Sequence, residues 1–481
     1  MSVRSAPDTA PKGVWRRGRW TGGGAGVIEV RDPANDEVVG VVGDASHDDV
    51  ARAVDAIVAA APGWARTSRG DRSALLGDVA RRLTERAESY AQLLVSEVGK
   101  PHAEALAEVT YAADYFRWYS AQALELRGIC GRSPFGDGTI TVDRRPVGPC
   151  LLIVPWNFPL AMAARKVAPA LAAGCTFMLK PAELAPLAVV ALFEDLLEAG
   201  MPPDAGAVVT TSDPSGLVDV ALTNGGVRKI SFTGSTAVGR SLAVKAGQRL
   251  LRVSLELGGN APFIVFSDAD IDAAVSGAVA AKLRNAGQAC TAANRFLVHS
   301  SVFEEFTARL ACEFDEQLVG PGSDRTSTVG PVIDDRARRR VASLVEDAVA
   351  AGASLATRRT DVPGSGAFVR PALVLGATAT SPLVAFEVFG PVAAAMPFDT
   401  ADEAISAANS TEAGLVGYVY ARDPAVLARC SEELDVGMVG CNRAVVSDAA
   451  APFGGVKSSG QGREGGAAGL TEYEVLRYLA T

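Results

Sequence analysis

The stretch KISFTGSTAVGRSLAVKAGQRLLRVSLELGG (229–259) decides the fold. It opens as an apolar run, KISFT (229–233), turns at Gly234 and Ser235, follows a helical pattern over 236–247 and ends in a second run, RVSLE (252–256). Short apolar runs separated by about a dozen helical residues are what a parallel strand–helix–strand crossover requires. The alternation extends upstream, where CLLIV (150–154), TFMLK (176–180) and AVVT (207–210) are further runs, with helical stretches near 159–173, 185–199 and 215–224. Together they predict a Rossmann-type parallel sheet with helices on both faces. In such sheets ligands bind beyond the carboxyl ends of the strands. Those ends carry Pro155-Trp156-Asn157, Lys180-Pro181, Thr233-Gly234-Ser235 and Glu256.

Working outward, residues 27–42 read as paired strands around Asp32-Pro33-Ala34-Asn35, and Ser46 as the N-cap of a helix ending near Pro62. Two long helices are expected over 71–98 and 101–127, the first with Leu75, Leu76, Val79 and Leu83 on one face. A Gly-rich excursion, 128–145, ends in the alternating run Thr139-Ile140-Thr141-Val142. A second α/β region runs from about 258 to 442, with a strand at FIVF (263–266), a helix over 270–285 and a strand at FLV (296–298). The tail 473–479 alternates like a strand without an obvious neighbour, so it is expected to pair with the 139–142 strand of another subunit. The pattern divides the chain into 1–127 with 146–257, then 258–443, then 128–145 with 461–481, with 444–460 returning to the first unit.

The composition excludes several classes. With 481 residues, 48% hydrophobic and 21% charged, the chain can bury a large core. Its net charge of -9 argues against nucleic acid as a partner, since phosphate neutralisation needs a basic surface. The longest apolar stretch, 167–179, holds Pro169 and Gly174 between Lys166 and Lys180 and is too short to span a bilayer. No apolar segment of a secretory signal follows the N-terminus, where Arg16, Arg17 and Arg19 read as a solvated arm or a small anionic docking site. Seven scattered cysteines suit a reducing cytoplasm, and no Cys or His spacing suggests a metal. Only three histidines are present, so a histidine-dependent nucleophile has little to draw on.

Four features bear on chemistry, and each has a plainer reading. Gly234 to Gly239, between strand and helix, could let a diphosphate approach backbone N–H groups, or be an ordinary turn. Cys290, among Gly287, Gln288 and Thr291, suits an exposed turn better than a core, and so a nucleophile as well as a packed thiol. Glu256 ends an apolar strand before Gly258-Gly259; by itself it reads as a surface acid, but buried it would approach the pKa of a general base. Asn157 is either a turn residue or an amide donor to an oxyanion.

Six motifs in order make a more specific pattern: PWNFP (155–159), FTGS (232–235), LELGGNAP (255–262), NAGQAC (285–290), EVFGP (387–391) and PFGGVKSSGQGRE (452–464). Over residues 27 to 479 the chain resembles the non-phosphorylating, NAD(P)-dependent aldehyde dehydrogenases. By that resemblance the three units would be a dinucleotide-binding domain (1–127 and 146–257), a catalytic domain (258–443) and an oligomerisation element (128–145 and 461–481). The resemblance implies that Cys290 attacks the aldehyde to give a thiohemiacetal, with Asn157 and the Cys290 backbone N–H as the oxyanion hole. Hydride transfer to the nicotinamide would leave a thioester, and Glu256 would activate water to hydrolyse it, which argues against relatives that release the thioester to coenzyme A. Lys180 would hold the adenosine ribose and Glu387 the nicotinamide ribose, with Phe389 beside the nicotinamide. Pro155, Trp156, Glu183, Gly234, Ser235 and Gly239 complete the implied cofactor set.

Within that family the chain is most similar to succinate-semialdehyde dehydrogenases. Arg165 stands eight residues after Asn157, Arg284 six before Cys290 and Ser447 five before Pro452; in that group these positions grip the substrate's remote carboxylate. An Arg–carboxylate contact is planar and strong, so it measures chain length. Glutarate semialdehyde or an uncharged aldehyde is the alternative substrate. Glu183 would accept from a ribose 2′-OH and repel a 2′-phosphate, which favours NAD, with NADP the alternative. Where some members carry a second cysteine two residues after the nucleophile this chain has Ala292, so no redox disulfide is expected in that loop. The implied assembly is a homodimer or homotetramer.

Overall fold

The computed structural model describes residues 12–16 and 18–480. Residues 1–11 and Arg17, which hold part of the basic N-terminal arm, lie outside the described residues. The fold is α/β, with two main sheets. The first is six-stranded, in the order Gly460–Gln461, Arg252–Glu256, Lys229–Thr233, Cys150–Ile153, Phe177–Lys180, Gly206–Val208. All its pairings are parallel except that of Gly460–Gln461. All five apolar runs read from the sequence are strands here, and the helices Pro159–Ala173, Leu187–Glu198, Pro214–Thr223 and Thr236–Gly247 separate them.

The strand order reverses between Cys150–Ile153 and Lys229–Thr233, and the reversal opens a crevice at their carboxyl ends. Every residue of Pro159–Ala173 is buried, because this alanine-rich helix lies between the sheet and the helix His102–Leu124. Its small side chains permit close packing on all sides.

The second sheet is seven-stranded, in the order Ser354–Leu355, Ala372–Leu375, Val392–Phe398, Ala293–His299, Ala261–Val265, Val416–Tyr420, Met438–Cys441. The helix Ile271–Leu283, capped by the Asp270 side chain, leads into the segment before Cys290. Among the described residues, no helix is long and apolar enough to cross a membrane.

Several local expectations change. Ser46 caps the helix His47–Ala65 through a capping box with Asp49, but the helix continues past Pro62, its last turn fastened by the buried Trp64. The expected helix over 71–98 breaks at Arg86 into Arg69–Glu85 and Ala87–Val98. Arg86 pairs there with Asp195 and Glu198, contacts no local periodicity reveals. Leu75, Leu76, Val79 and Leu83 are all buried, as their phase requires.

In the described part of the N-terminal arm Arg19 is exposed, as a solvated arm requires, while the tryptophans beside it are held against the body. Val14–Arg16 pairs with Arg19–Thr21, and Trp15 packs edge-on against Trp20 and Phe193.

The tail strand Glu474–Ala480 pairs with Thr139–Pro146 of the same chain, from Glu474↔Pro146 to Ala480↔Ile140, and Ile129–Arg132 completes a three-stranded sheet. No second subunit is needed for that pairing, contrary to the reading from sequence. The segment before the tail is stitched back to the body by Gly460–Gln461 and by Val147 N–H donating to Tyr473 O at 2.8 Å. This delivers Glu474 to an ion pair with Arg144, 330 residues earlier in the partner strand.

Candidate active site

A cavity of about 570 Å³ opens at the carboxyl ends of the first sheet and is closed on its far side by loops of the second. Asn157, Cys290 and Glu256 all line it. Cys290 follows three successive left-handed residues, Asn285 (φ 52°), Ala286 (φ 53°) and Gly287 (φ 73°). For residues with a Cβ that conformation costs about 1–2 kcal/mol each, so the surroundings must hold it. Asn285 N–H donates to Glu104 Oε2 at 2.7 Å, Gln288 Nε2 to Asn285 O at 3.0 Å, and Ile333 N–H to Gln288 Oε1 at 2.8 Å. A Cβ on Gly259 would lie 2.1 Å from the Cys290 carbonyl oxygen, so only glycine lets the loop after the Glu256 strand approach this turn.

Residues 285–289 are buried rather than an exposed turn, and Cys290 itself is half-buried. Burial pushes the Cys290 thiol up to about 12; Arg165 and Arg284 pull it down, while Glu387 and Glu256 add to the rise. The resting thiol is therefore protonated and needs a base.

Asn157 is buried, and its Nδ2 donates to Gln288 O at 2.8 Å. An amide nitrogen carries two hydrogens, so one remains for a group in the cavity. Glu256 ends its strand inside the protein, 2% exposed, and not at the surface. Neither carboxylate oxygen has a hydrogen-bond partner among the described residues. Burial, reinforced by the Glu464 carboxylate, raises its pKa well above the ordinary range against the pull of Arg165, Lys166 and Arg463. A Cβ on Gly454 would stand 2.8 Å from Glu256 Oε1, so the carboxylate is backed by bare glycine backbone.

Arg165, Arg284 and Ser447 line the same cavity. The Arg165 guanidinium lies 3.9 Å from the centroid of Phe453 and donates to the hydroxyls of Tyr115 (2.9 Å) and Tyr111 (2.8 Å). Its remaining nitrogen lies 3.7 Å from Glu464 Oε2, outside hydrogen-bond range. Arg284 packs over Phe158 and reaches Thr291 Oγ1 at 3.3 Å.

At the crevice end, Pro155, Trp156, Gly234, Ser235, Glu387 and Phe389 line the cavity, whereas Lys180, Glu183 and Gly239 do not. Trp156 and Phe389 meet edge-on at 5.5 Å. Glu387 accepts from Gly259 N–H at 3.1 Å, and burial raises it to about 7. Lys180 pairs with Glu183 at 2.9 Å just past the Phe177–Lys180 strand. Gly239 lies in the helix Thr236–Gly247, where a Cβ would fall 2.3 Å from Leu257, so its demand for glycine is helix-to-strand packing.

These residues fit a dinucleotide. Gly234 and Ser235 stand at a helix N-terminus at the switch point, and the buried Thr233 Oγ1 beside them has no partner among the described residues. Ring faces and a carboxylate suited to a nicotinamide riboside lie across the cavity.

The model of the aldehyde dehydrogenase family matches residues 20–478. The chain belongs to that family. It is 47% identical over 442 residues to a succinate-semialdehyde dehydrogenase of Paenarthrobacter nicotinovorans, covering 92% of this chain and 98% of that one. It is 41% identical over 466 residues to a glutarate-semialdehyde dehydrogenase of Pseudomonas putida, covering 96% of each. A crystal structure of an NADP-dependent enzyme of Escherichia coli superposes with a TM-score of 0.96 at 38% identity, covering 98% of each chain. The chain is thus an NAD(P)-dependent aldehyde dehydrogenase.

Sequence reasoning missed the residues of this dehydrogenase that stand behind the site. Lys100 and Glu108 form a fully buried ion pair; Lys100 Nζ also donates to Asn157 O at 2.9 Å, and Glu108 Oε1 accepts from Leu160 and Ala161 N–H at 3.0 and 3.1 Å. Glu464, noticed only as part of a motif, pairs with buried Lys166 and accepts from Ser231. One signal was available. Glu108 sits between Ala105 and Val109, in the buried phase of its helix, where an unpaired carboxylate is not tolerated.

Proposed function

We propose that this aldehyde dehydrogenase oxidises succinic semialdehyde to succinate with NAD as its preferred cofactor. The observation that carries the reading is that two guanidinium groups, Arg165 and Arg284, line the cavity that also holds Cys290 and Glu256. A carboxylate at the far end of a short aldehyde would find the free edge of Arg165, and Ser447 offers a hydroxyl.

The reaction begins at a protonated thiol. Glu256 in its ionised form takes the Cys290 proton, and the sulfur attacks the aldehyde carbon. The oxyanion of the thiohemiacetal accepts from the spare hydrogen of Asn157 Nδ2 and from Cys290 N–H, donors worth roughly 2.7–4 kcal/mol each at the transition state. A nicotinamide cofactor held by Gly234, Ser235 and Glu387 beside Trp156 and Phe389 would supply the hydride acceptor for that carbon, and Cys290 would then carry a thioester. Glu256, having passed the first proton to solvent, then removes a proton from water; the hydroxide attacks the thioester carbonyl, and the Cys290 thiolate leaves and takes the proton back from Glu256. The raised pKa suits Glu256 to this work, since a carboxyl tuned upward is the stronger base once ionised.

Glu183 supports the choice of NAD. Burial raises its carboxyl, but the Lys180 ammonium outweighs this and holds it below the ordinary range, so it stays ionised and opposes a 2′-phosphate. We read the first sheet as the cofactor-binding half and the second as the half bearing the nucleophile. Seven unbridged cysteines suit a cytoplasmic setting. Ile129, Leu476 and Tyr478, exposed on the three-stranded sheet, suit a homodimer or a pair of dimers.

The test is reduced-cofactor formation at 340 nm with succinic semialdehyde, glutarate semialdehyde and butyraldehyde. Succinic semialdehyde with NAD should lead in kcat/KM, and Arg165→Leu or Arg284→Leu should lower its value about 10- to 150-fold, a charged hydrogen bond being worth roughly 1.5–3 kcal/mol. Equal use of butyraldehyde would reduce both arginines to structural roles, and a lead for the longer aldehyde would move the assignment to glutarate semialdehyde.

A further inference from the structure

We propose that the buried Lys100–Glu108 ion pair is the positioning device of the oxyanion hole, clamping Asn157 from behind while the nucleophile turn clamps it from the front. The inference rests on the reading of Asn157 as the oxyanion donor. Lys100 and Glu108 are 1% and 3% exposed, and neither lines the cavity, so they cannot touch the substrate. A buried ion pair contributes little net stability compared with apolar residues of the same volume, so its use lies in what else the two groups hold.

Both hold the Asn157 segment. The carbonyl oxygen of Asn157 has two lone pairs: Lys100 Nζ takes one at 2.9 Å, and Asn285 Nδ2, from the nucleophile turn, takes the other at 2.9 Å. Glu108 grips the third and fourth residues after Asn157, where Pro159–Ala173 begins and the Leu160 and Ala161 N–H groups have no helical acceptor. Phe158, between these anchors, packs its ring 4.1 Å from Lys100 Nζ. Residues 157–161 are thus fixed at both ends by one ion pair.

The same helix also reaches the nucleophile. Glu104, one turn before Glu108, accepts the Asn285 N–H at 2.7 Å. Asn157 Nδ2 in turn donates to Gln288 O, two residues before Cys290. The helix His102–Leu124 and Lys100 just before it therefore set donor and nucleophile in register. Without the Lys100 bond, the peptide after Asn157 loses a charged anchor and can tilt, carrying the amide away from the oxyanion position.

The test uses the full chain with Lys100→Met/Glu108→Gln, in which Gln keeps an acceptor for Leu160 and Ala161 and no lone charge is buried. Its kcat should fall about 10- to 100-fold, the effect of a displacement near 1 Å. KM for the aldehyde, NADH affinity by fluorescence and the rate of Cys290 alkylation by iodoacetamide should stay within about threefold. Asn157→Ala should lose about 10²–10³-fold in kcat. Wild-type kcat in the double variant beside a crippled Asn157→Ala overturns the positioning role alone. Wild-type kcat in Asn157→Ala overturns the oxyanion reading beneath it. Equal loss of kcat, NADH binding and alkylation in the double variant means general damage and also overturns the proposal. Asn285→Gly, which suits the left-handed backbone, removes the other bond to Asn157 O; if the double variant does not fold, a wild-type kcat here overturns the clamp and a tenfold loss supports it.

Discussion

Glu256→Gln should make the protein less active and more stable at once. A general base contributes about 10²–10⁴-fold, so kcat should fall by that factor, or about 2.7–5.4 kcal/mol of barrier. Stability moves the other way because both oxygens of a 2% exposed carboxylate lack a hydrogen-bond partner among the described residues. An unsatisfied buried polar group costs about 1–3 kcal/mol. A neutral amide of the same shape escapes the additional burden of ionisation. For a chain this long, with an unfolding entropy of about 2.1 cal/mol/K per residue, each kcal/mol of that burden relieved is roughly 1 °C in Tm.

The pH dependence has a definite sign. The folded state holds the Glu256 proton more tightly than the unfolded state, which releases it near the ordinary carboxylate range of about 4.3. Wild-type stability therefore falls as pH rises from there toward the raised folded value, while Gln does not titrate. The Tm advantage of the variant should widen across that window and level off above it. Differential scanning fluorimetry across pH, paired with NADH formation at 340 nm, reads both effects. Wild-type turnover, or a Tm gap that is flat or reversed with rising pH, would refute the argument that Glu256 is a strained buried base.

Other outcomes follow from the same geometry. With its thiol pushed up to about 12, Cys290 in the enzyme without cofactor should be alkylated by iodoacetamide at a rate rising about tenfold per pH unit between pH 7 and 10; a plateau near pH 8 would mean that the thiolate already exists at rest. Glu183→Gln should raise kcat/KM for NADP relative to NAD by about 5- to 30-fold, the value of removing one repulsion of about 1–2 kcal/mol. An unmoved ratio would show that Glu183 does not face the 2′-position.

Legibility from sequence followed the range of the interactions. The five runs of the first sheet and the helix Pro159–Ala173 were readable because each element carries its own period and its own end signals. The helix break at Arg86 was not, since Arg86 is held by Asp195 and Glu198 more than a hundred residues away. Gly239 was read as part of a phosphate turn, whereas its tight contact is Leu257; a glycine needed for packing and one needed for a ligand look alike in a sequence. Lys180 and Glu183 stand at the expected strand end but outside the cavity that holds the nucleophile, a separation no motif spacing reports.

The chain by itself determined the strand–helix alternation of the first sheet and put forward Cys290, Glu256 and Asn157 as candidates, because each strand carries its own period and the six motifs follow one another in order. Only the tertiary structure decided how far Glu256 is buried, which strand the tail joins, and that Lys100, Glu104 and Glu108 stand behind the oxyanion donor and the nucleophile. Those facts rest on contacts such as Lys100 to Asn157 and Glu104 to Asn285, 57 and 181 residues apart. Burial and pairing across such distances are properties of the packed chain and leave no periodic trace along it.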